Sequence, residues 1–261
     1  MLKKTVFAAL ALLVSFGVMG VAGGSVAQAE AEKKVYINGI DSSFPPFAYM
    51  NAEGKPAGFD VDAMNWIADK MGFKVEHRPM DWNTIIPSLK TKRIDMVCSG
   101  MSINAERKKE VNFSEPYYKS SPVLVTLPDS KLTKEEVFNG KKKLGIQRGT
   151  SEAQWLEKNK DANKWNFDLM YYDNQTMAIE DLLNGRVEVI ATDDVTAIDA
   201  IDKGRKVKIM APYGEATGFG VAVRKADKEL LKLIDEGYKL LKADPYWVEL
   251  HKKYNIPEFK E

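Results

Sequence analysis

The stretch from residue 94 to residue 107, IDMVCSGMSINAER, brings together residue types that could bind an anion. Its start is apolar enough for a buried strand, and the small residues that follow would let the backbone approach a ligand closely. These residues are Ser99, Gly100, Met101 and Ser102. Asn104 is a favourable helix N-cap, which would place Arg107 in the first turn. Since a helix start, a hydroxyl and a guanidinium fork suit a carboxylate, the stretch predicts an anion site. The alternative is an ordinary strand-to-helix turn whose Arg107 faces solvent.

Other polar and aromatic residues stand where a predicted strand ends or a predicted helix begins. Asp41 and Phe44 follow the apolar stretch VYINGI, and Trp82 opens the helix that leads into the central strand. Strands and helices alternate here with short connections, which is typical of a parallel α/β sheet. Ligands bind at the carboxyl ends of such strands, so we expect these residues and 99–102 at one edge of the sheet. For Phe44, ordinary core packing is the alternative.

The helix between the first two predicted strands has an apolar face and two boundary signals. Asp60 is a natural N-cap, and Gly72 is a natural end. The apolar residues between them recur at helical spacing and predict core packing, not a cofactor site.

The N-terminus has the features of a leader. Lys3 and Lys4 precede an apolar run from Val6 to Val21, and residues 27–29 form an A-x-A pattern. We therefore predict a signal peptide over residues 1–29, cleaved after Ala29, and a periplasmic protein with no direct membrane insertion after cleavage. A single membrane anchor is the alternative.

Composition argues against several classes of function. The 38 Lys+Arg residues nearly balance the 37 Asp+Glu residues, so bulk charge gives no support for nucleic-acid binding. Cys98 is the only cysteine, which precludes an intrachain disulfide, and we expect it to be a buried structural thiol. With only His77 and His251 besides, there is little material for zinc or a Cys-His nucleophile. Residues 145–151 lack the glycines and lysine of a P-loop. We expect no metal, no cofactor and no catalytic residue.

Five motifs follow one another along the chain: D-S-S-F-P-P-F, G-F-D-V-D, W-N-T-I-I-P-S-L, I-D-M-V-C-S-G-M-S-I-N-A-E-R and V-N-F-S-E-P-Y-Y. Their order resembles that of the bacterial extracellular solute-binding proteins of family 3. The resemblance covers essentially the whole mature chain, and it departs from many members at Asn104, where they have threonine. It implies a periplasmic-binding-protein-like fold of two α/β lobes joined by two hinge strands. Lobe one would comprise residues 34–123 and 217–261, and lobe two residues 124–216. The implied function is a receptor that binds a free amino acid and delivers it to the membrane subunits of an ABC permease.

The resemblance also implies roles for individual residues. Arg107 would grip the ligand α-carboxylate together with Ser102 and nearby main-chain N–H groups. The second lobe would add contacts from Gly149, Thr150 and Ser151. Asp193 matches the carboxylate that binds the ligand ammonium, and Asp194 is an alternative one residue along.

The resemblance also indicates which residues would surround the side chain of the ligand. They are aromatic close to the ligand backbone and polar farther from it. Phe44 and Trp82 would form apolar walls. The matched distal positions are Asp41, Gln147 and Glu152. We expect a polar ligand, with a slight preference for a cation over a neutral amide, because an aliphatic side chain would leave the distal groups unpaired.

Two functions of other classes remain as alternatives. Some relatives of the fold are enzymes that dehydrate cyclohexadienyl acids, which requires a general acid, for which Glu152 and Asp41 are candidates. A paired Arg107 and Asp193 favours binding instead. The other alternative is the sensor domain of a receptor kinase, which we would expect to continue beyond Glu261 into a second apolar span.

Overall fold

The computed structural model describes residues 33–257, so the predicted signal peptide and its cleavage after Ala29 lie outside the described residues. Helices in this range are α1 (Phe59–Met71), α2 (Trp82–Lys90), α3 (Ala105–Glu110), α4 (Lys134–Asn139), α5 (Ser151–Asn163), α6 (Gln175–Leu183), α7 (Asp194–Asp202), α8 (Lys228–Ala243) and α9 (Pro245–Lys253). Across this range, no helix is both long enough and apolar enough to span a bilayer.

The strands of the same range, in chain order, are β1 (Val35–Ile40), β2 (Ser43–Phe44), β3 (Ala48–Met50), β4 (Pro56–Ala57), β5 (Lys74–Pro79), β6 (Met96–Val97), β7 (Val111–Phe113), β8 (Tyr118–Ser120), β9 (Pro122–Thr126), β10 (Lys143–Gln147), β11 (Asp168–Tyr172), β12 (Val189–Asp193), β13 (Lys208–Pro212), β14 (Thr217–Phe219) and β15 (Ala222–Arg224).

Two larger sheets organise these elements. The first sheet has the order β5-β1-β6-β15-β7, and the second has the order β11-β10-β12-β9-β13. In the first, β1 pairs in parallel with β5 and β6; in the second, β10 pairs in parallel with β11 and β12. The remaining strands, β15 and β7 in the first sheet and β9 and β13 in the second, join by antiparallel pairing. Each sheet therefore gathers the carboxyl ends of three parallel strands at one edge, as the alternation of strands and helices predicts.

The chain passes between the two sheets twice. It leaves the first sheet after β7, runs through β8 and enters the second sheet at β9. It returns from β13 through β14 to β15. Because β8 and β14 pair with each other, with Tyr118 opposite Phe219, the two crossing segments form one antiparallel ribbon.

Each sheet packs against its own apolar cores. The largest cluster joins α1, α8 and α9 to one face of the first sheet and includes Phe59, Ile67, Ile234 and Trp247. A second cluster around Ile85 and Leu89 covers the other face. Two further clusters flank the second sheet. Cys98 is buried in the first of these cores, as predicted.

The start of α1 differs from the prediction. Gly58, not Asp60, occupies the N-cap position, and Asp60 lies inside the first turn. Its carboxylate accepts hydrogen bonds from the Gly100 N–H at 2.6 Å and from the Tyr117 hydroxyl at 2.7 Å. The prediction that Asp60 caps the helix is wrong, because its carboxylate instead accepts hydrogen bonds from two residues distant in sequence, Gly100 and Tyr117. Gly72 ends the helix in a left-handed conformation, as predicted.

Candidate functional site

A cavity lies where the strand ends of the two sheets meet, with about 420 Å³ of space not occupied by protein atoms, part of it open to solvent. The first-sheet side of the lining consists of Asp41, Phe44, Trp82, Ser99, Gly100, Ser102 and Arg107. The second-sheet side consists of Gln147, Thr150, Ser151, Glu152, Gln175, Ala191, Thr192 and Asp193.

Arg107 does not face solvent. Asn104 caps α3 as predicted, its Oδ1 accepting from the Arg107 N–H at 2.8 Å. The guanidinium is buried, with its carbon 5.4 Å from the centre of the Trp82 ring. It donates to the carbonyl oxygens of Ser102 at 2.8 Å and Gly149 at 3.3 Å, while its Nε has no hydrogen-bond partner among the described residues. Burial lowers the pKa of Arg107, and the charges of Glu152 and Asp193 oppose that change.

Beneath the loop that carries Ser99 and Gly100 lies a buried polar cluster. Asp60 accepts from the Gly100 N–H and the Tyr117 hydroxyl, and its other oxygen has no hydrogen-bond partner within residues 33–257. Burial raises the pKa of Asp60 to about 7, against the lowering effect of those two hydrogen bonds. Gly100 has φ 58°, and a Cβ there would lie 2.2 Å from the Phe44 ring. The loop therefore requires glycine for two reasons, its conformation and its contact with Phe44.

A hydrogen bond crosses the cavity between the two sides. Gln147 Nε2 donates to Asp41 Oδ2 at 2.7 Å. The other carboxylate oxygen of Asp41 accepts from the Ser43 N–H at 3.0 Å and the Ser43 hydroxyl at 2.8 Å. The Asp41 N–H donates to Ser99 Oγ at 3.0 Å. Asp41 is thus held by its near neighbour Ser43, by Ser99, and by Gln147 at the end of β10.

Two carboxyl groups lie together on the second-sheet side. Asp193 ends β12 and is half-buried, while Glu152 lies in the first turn of α5 and is only 7% exposed. Burial raises the pKa of Asp193 well above its usual range, and both the charge of Glu152 and a hydrogen bond between the two carboxyls raise it further.

Asp194, the alternative to Asp193, faces a different way. Its Oδ1 accepts from the Ser120 hydroxyl at 2.6 Å and from the Val195 N–H at 2.8 Å. It is not among the residues that line the cavity. Its carboxylate therefore helps to hold the start of α7, and Asp193 is the member of the pair that reaches the cavity.

Comparison with known proteins identifies the family to which the chain belongs. The family model for bacterial extracellular solute-binding proteins, family 3, matches residues 36–257. The chain belongs to this family. The resemblance predicted from the sequence and the periplasmic-binding-protein-like α/β fold class are confirmed.

The names of similar proteins describe binding of cystine, arginine or amino acids in general. The L-cystine-binding protein TcyJ of Escherichia coli (strain K12) is 29% identical over 250 residues, which cover 94% of this chain and 92% of the relative. A solved structure of an ancestral arginine-binding protein bound to arginine has a TM-score of 0.78 and 34% identity, covering 85% of this chain and 98% of that chain. The ancestral amino acid-binding protein AncCDT-1, a precursor of cyclohexadienyl dehydratase, has a TM-score of 0.77 and 29% identity, covering 84% and 95%.

Two residues predicted for the site do not line its cavity. The Met101 side chain is fully buried in the apolar cluster that contains Trp82, and its carbonyl accepts from the Gly220 N–H at 3.0 Å. Gly149 is exposed at φ 75° and contributes its carbonyl to Arg107. In this solute-binding protein both residues therefore support neighbours of the cavity.

Sequence reasoning missed Gln175, Ala191 and Thr192. Gln175 is 4% exposed, and its Nε2 has no hydrogen-bond partner in the described part of the chain. It is the first residue of α6, directly after β11, so the rule that drew attention to Trp82 could have found it. Among residues 33–257 there is no group of three or more His, Cys, Asp or Glu side chains placed to hold a metal ion.

Proposed function

We propose that this solute-binding protein is a periplasmic receptor that binds one α-amino acid and delivers it to the membrane subunits of an ABC permease. The observation that carries the proposal is that Arg107 and Asp193 line one cavity from opposite sheets. A guanidinium and a carboxylate are complementary to the two ionic groups that every α-amino acid has.

In this proposal each side holds one end of the amino-acid backbone. Arg107 binds the carboxylate, helped by Ser102 and by the start of α5 at Thr150 and Ser151, where a helix N-terminus favours an anion. Asp193 binds the ammonium. Neither side provides both partners, so the ligand stabilises the form in which the two sides meet.

The resemblance implies a lobe one of residues 34–123 and 217–261 and a lobe two of residues 124–216. Because β9 begins at Pro122 and belongs to the second sheet, we move the first boundary to just before Pro122, with the ribbon of β8 and β14 as the hinge. Closure about two strands is a common way for binding proteins to enclose a ligand. The bond between Gln147 and Asp41 and the bond between Arg107 and Gly149 join the two sides and would break on opening.

The charges of the cavity favour a cationic ligand side chain. Asp41, Glu152 and Asp193 provide three carboxyl groups, against the one guanidinium of Arg107. The backbone groups of an amino acid cancel in charge, so a cation on the side chain would offset the excess of negative charge. Trp82 and Phe44 add flat walls for an alkyl stem or a planar head group. The arginine-bound ancestral relative supports this choice, whereas the cystine-binding relative supports a neutral polar ligand.

A thermal-shift screen of the twenty amino acids followed by calorimetry tests the receptor function. A ligand present at about a hundred times its dissociation constant adds about 2.7 kcal/mol to the free energy of unfolding. We expect cationic amino acids to give the largest increase in Tm and branched aliphatic amino acids to give none. Folded Arg107→Ala should show no increase in Tm with any of the twenty amino acids. Tightest binding of leucine or valine would contradict our account of the distal groups.

We also propose that the protein is not an enzyme, although the likeness to AncCDT-1 makes dehydration of cyclohexadienyl acids the relevant rival. Asp41, one candidate acid, already accepts three hydrogen bonds. Incubation with prephenate or arogenate should therefore leave the substrate unchanged, and turnover that is lost in Glu152→Gln would favour the enzyme.

The proteins of the family are extracellular. We propose in addition that this protein is located in the periplasm. We expect export through a signal peptide cleaved after Ala29. N-terminal sequencing of the exported protein should then begin at Glu30, whereas retention of residues 1–29 on a membrane fraction would favour an anchor.

A further inference from the structure

Gln175 lies at one end of the series of strand ends that borders the cavity. It is the first residue of α6, which follows β11. In the second sheet β11 lies beside β10, and β10 lies beside β12, the strand that ends at Asp193. Neighbouring strands are about 4.8 Å apart, so about 10 Å separates β11 from β12. A ligand whose ammonium is bound by Asp193 therefore reaches Gln175 only with a long side chain.

The fold itself makes no use of the amide nitrogen of Gln175. Asn174 already caps α6, its Oδ1 accepting from the Met177 N–H at 3.0 Å. Gln175 is only 4% exposed, yet its Nε2 has no hydrogen-bond partner among residues 33–257. An unpaired buried donor costs free energy, and a ligand that supplies an acceptor removes that cost. Because Gln175 lines the cavity, a ligand bound there can supply the acceptor.

The amide of Gln147 differs from that of Gln175 in this respect. Gln147 lines the same cavity, but its Nε2 donates to Asp41 Oδ2 at 2.7 Å and to the Asp173 carbonyl oxygen at 3.4 Å. It thereby joins the two sides of the cavity and holds the loop that precedes α6. The amino group of Gln147 is thus engaged by protein acceptors, whereas that of Gln175 has none in the described chain.

Arg107 Nε is a second buried donor of the cavity that has no partner within the described range. Arg107 comes from the first-sheet side, and in the proposed function it binds the α-carboxylate of the ligand. Gln175 comes from the second-sheet side, at the end away from Asp193. One acceptor for each donor gives the ligand two acceptor groups, its α-carboxylate and a group on its side chain.

The charges of the cavity limit which acceptor the side chain can carry. Three carboxyl groups line the cavity, those of Asp41, Glu152 and Asp193, against one guanidinium. A carboxylate on the ligand side chain would add to this excess of negative charge. A carbonyl oxygen is a neutral acceptor, and an amide or ureido group that contains it also offers N–H donors to the carboxylates. The acceptor that fits this cavity is therefore the oxygen of such a group.

We propose that Gln175 is a specificity-determining residue that donates from Nε2 to a carbonyl oxygen at the far end of the ligand side chain. This inference rests on the proposed function, and it adds amino acids with an amide or ureido side chain to the cationic ligands. A guanidinium has donors only, so it gains nothing from Nε2 and leaves that nitrogen unpaired. The receptor therefore distinguishes the two ligand classes at this residue.

Calorimetry with L-citrulline and L-arginine tests the inference, because these ligands have the same length and citrulline has a carbonyl oxygen where arginine has a nitrogen. We expect wild type to bind both. Gln175→Met keeps the length of the side chain and removes the donor, so the Kd of citrulline should rise about tenfold or more and that of arginine less than about threefold. A merely structural role of Gln175 would change both constants alike and leave their ratio unchanged.

Two further variants sharpen the measurement. Gln175→Glu should raise the ratio of the citrulline Kd to the arginine Kd at least as much as Gln175→Met, because a carboxylate cannot donate and attracts the cation. Asn184→Ala is the matched control, since it removes an exposed amide at the other end of α6 and should leave the ratio unchanged.

The outcomes separate this inference from the receptor function. An unchanged ratio in Gln175→Met and Gln175→Glu would overturn the inference and leave the receptor function intact. The same holds if wild type binds an amino acid but has no measurable affinity for L-citrulline. Failure of L-citrulline and of all twenty amino acids to bind would remove the receptor function and this inference with it.

Discussion

The two sides of the cavity are built on different principles. On the first-sheet side, the loop with Ser99 and Gly100 rests on a buried carboxylate, Asp60, and on the Tyr117 hydroxyl. On the second-sheet side, Glu152 and Gln175 project directly from the first turns of their helices. The Ser99–Gly100 loop is thus positioned by contacts distant in sequence, whereas Glu152 and Gln175, like Trp82 and Arg107 on the first side, are positioned by local helix starts. Substitutions under this loop should affect stability as well as binding, whereas those of Glu152 and Gln175 should mainly affect binding.

The two sides also differ in charge. The first-sheet side presents a buried cation against an aromatic ring, Arg107 beside Trp82. The second-sheet side presents the Glu152 and Asp193 pair. A ligand with a carboxylate at one end and an ammonium at the other fits only one way round between them.

Removal of Arg107 should have the largest effect on binding. Arg107→Ala should lower affinity about 10²- to 10⁴-fold, since two charge-assisted hydrogen bonds contribute about 1.5–3 kcal/mol each. Arg107→Lys should also bind poorly, because an ammonium cannot form the parallel pair of bonds. Calorimetry with the amino acid identified by the screen measures both. A folded Arg107→Ala protein of near-native affinity would refute the assignment of the carboxylate.

The polar cluster under the loop should make stability depend on pH. The pKa of Asp60 is about 7 in the folded protein because of burial, whereas its ordinary value is about 3.9. Between these values the folded protein keeps a proton that the unfolded chain has lost. The free energy of unfolding should therefore fall as pH rises through this window, by about 1.4 kcal/mol per pH unit from this group, and be constant above it.

Asp60→Asn should remove this pH-dependent part of the free energy of unfolding. The side-chain oxygen of the new residue can still accept hydrogen bonds from the Gly100 N–H and the Tyr117 hydroxyl. Urea unfolding at several pH values measures it, with Asp69→Asn as the control because Asp69 is exposed on the same helix. An identical pH profile in Asp60→Asn and wild type would show that this carboxyl does not titrate in the window.

On the second-sheet side, Asp193→Asn should reduce affinity by about 1.5–3 kcal/mol, because the charge that faces the ammonium is lost and the shape is kept. Stability should change little. Asp194→Asn is the matched comparison: its carboxylate contacts Ser120 and Val195 outside the cavity, so affinity should stay within a few-fold. The reverse ranking of the two variants would assign the ammonium to Asp194.

Local features of this molecule were predictable from sequence, and features that depend on strand order were not. The first strand coincides with VYINGI, and the Asn104 cap was found because its partner is three residues away. The true role of Asp60 was hidden because its partners are 40 and 57 residues distant. Gln175 begins a helix after a strand, as Trp82 does, so the same rule makes it a candidate, but only the pairing of β11 with β10 places it at this cavity.

The smallest effect should come from a contact between the two sides that lies away from the cavity. Asn255, in the segment after α9, donates to Asp202 at the end of α7 over 2.7 Å, and this pair is exposed. Exposed hydrogen bonds contribute little because water replaces them. Asp202→Ala should therefore change ligand affinity by less than about 1 kcal/mol. Glu180→Ala is the control, since the exposed Glu180 pairs with Arg205 on the same side of the molecule. If Asp202→Ala alone weakened binding more than tenfold, the exposed contact between Asn255 and Asp202 would govern closure together with the residues of the cavity.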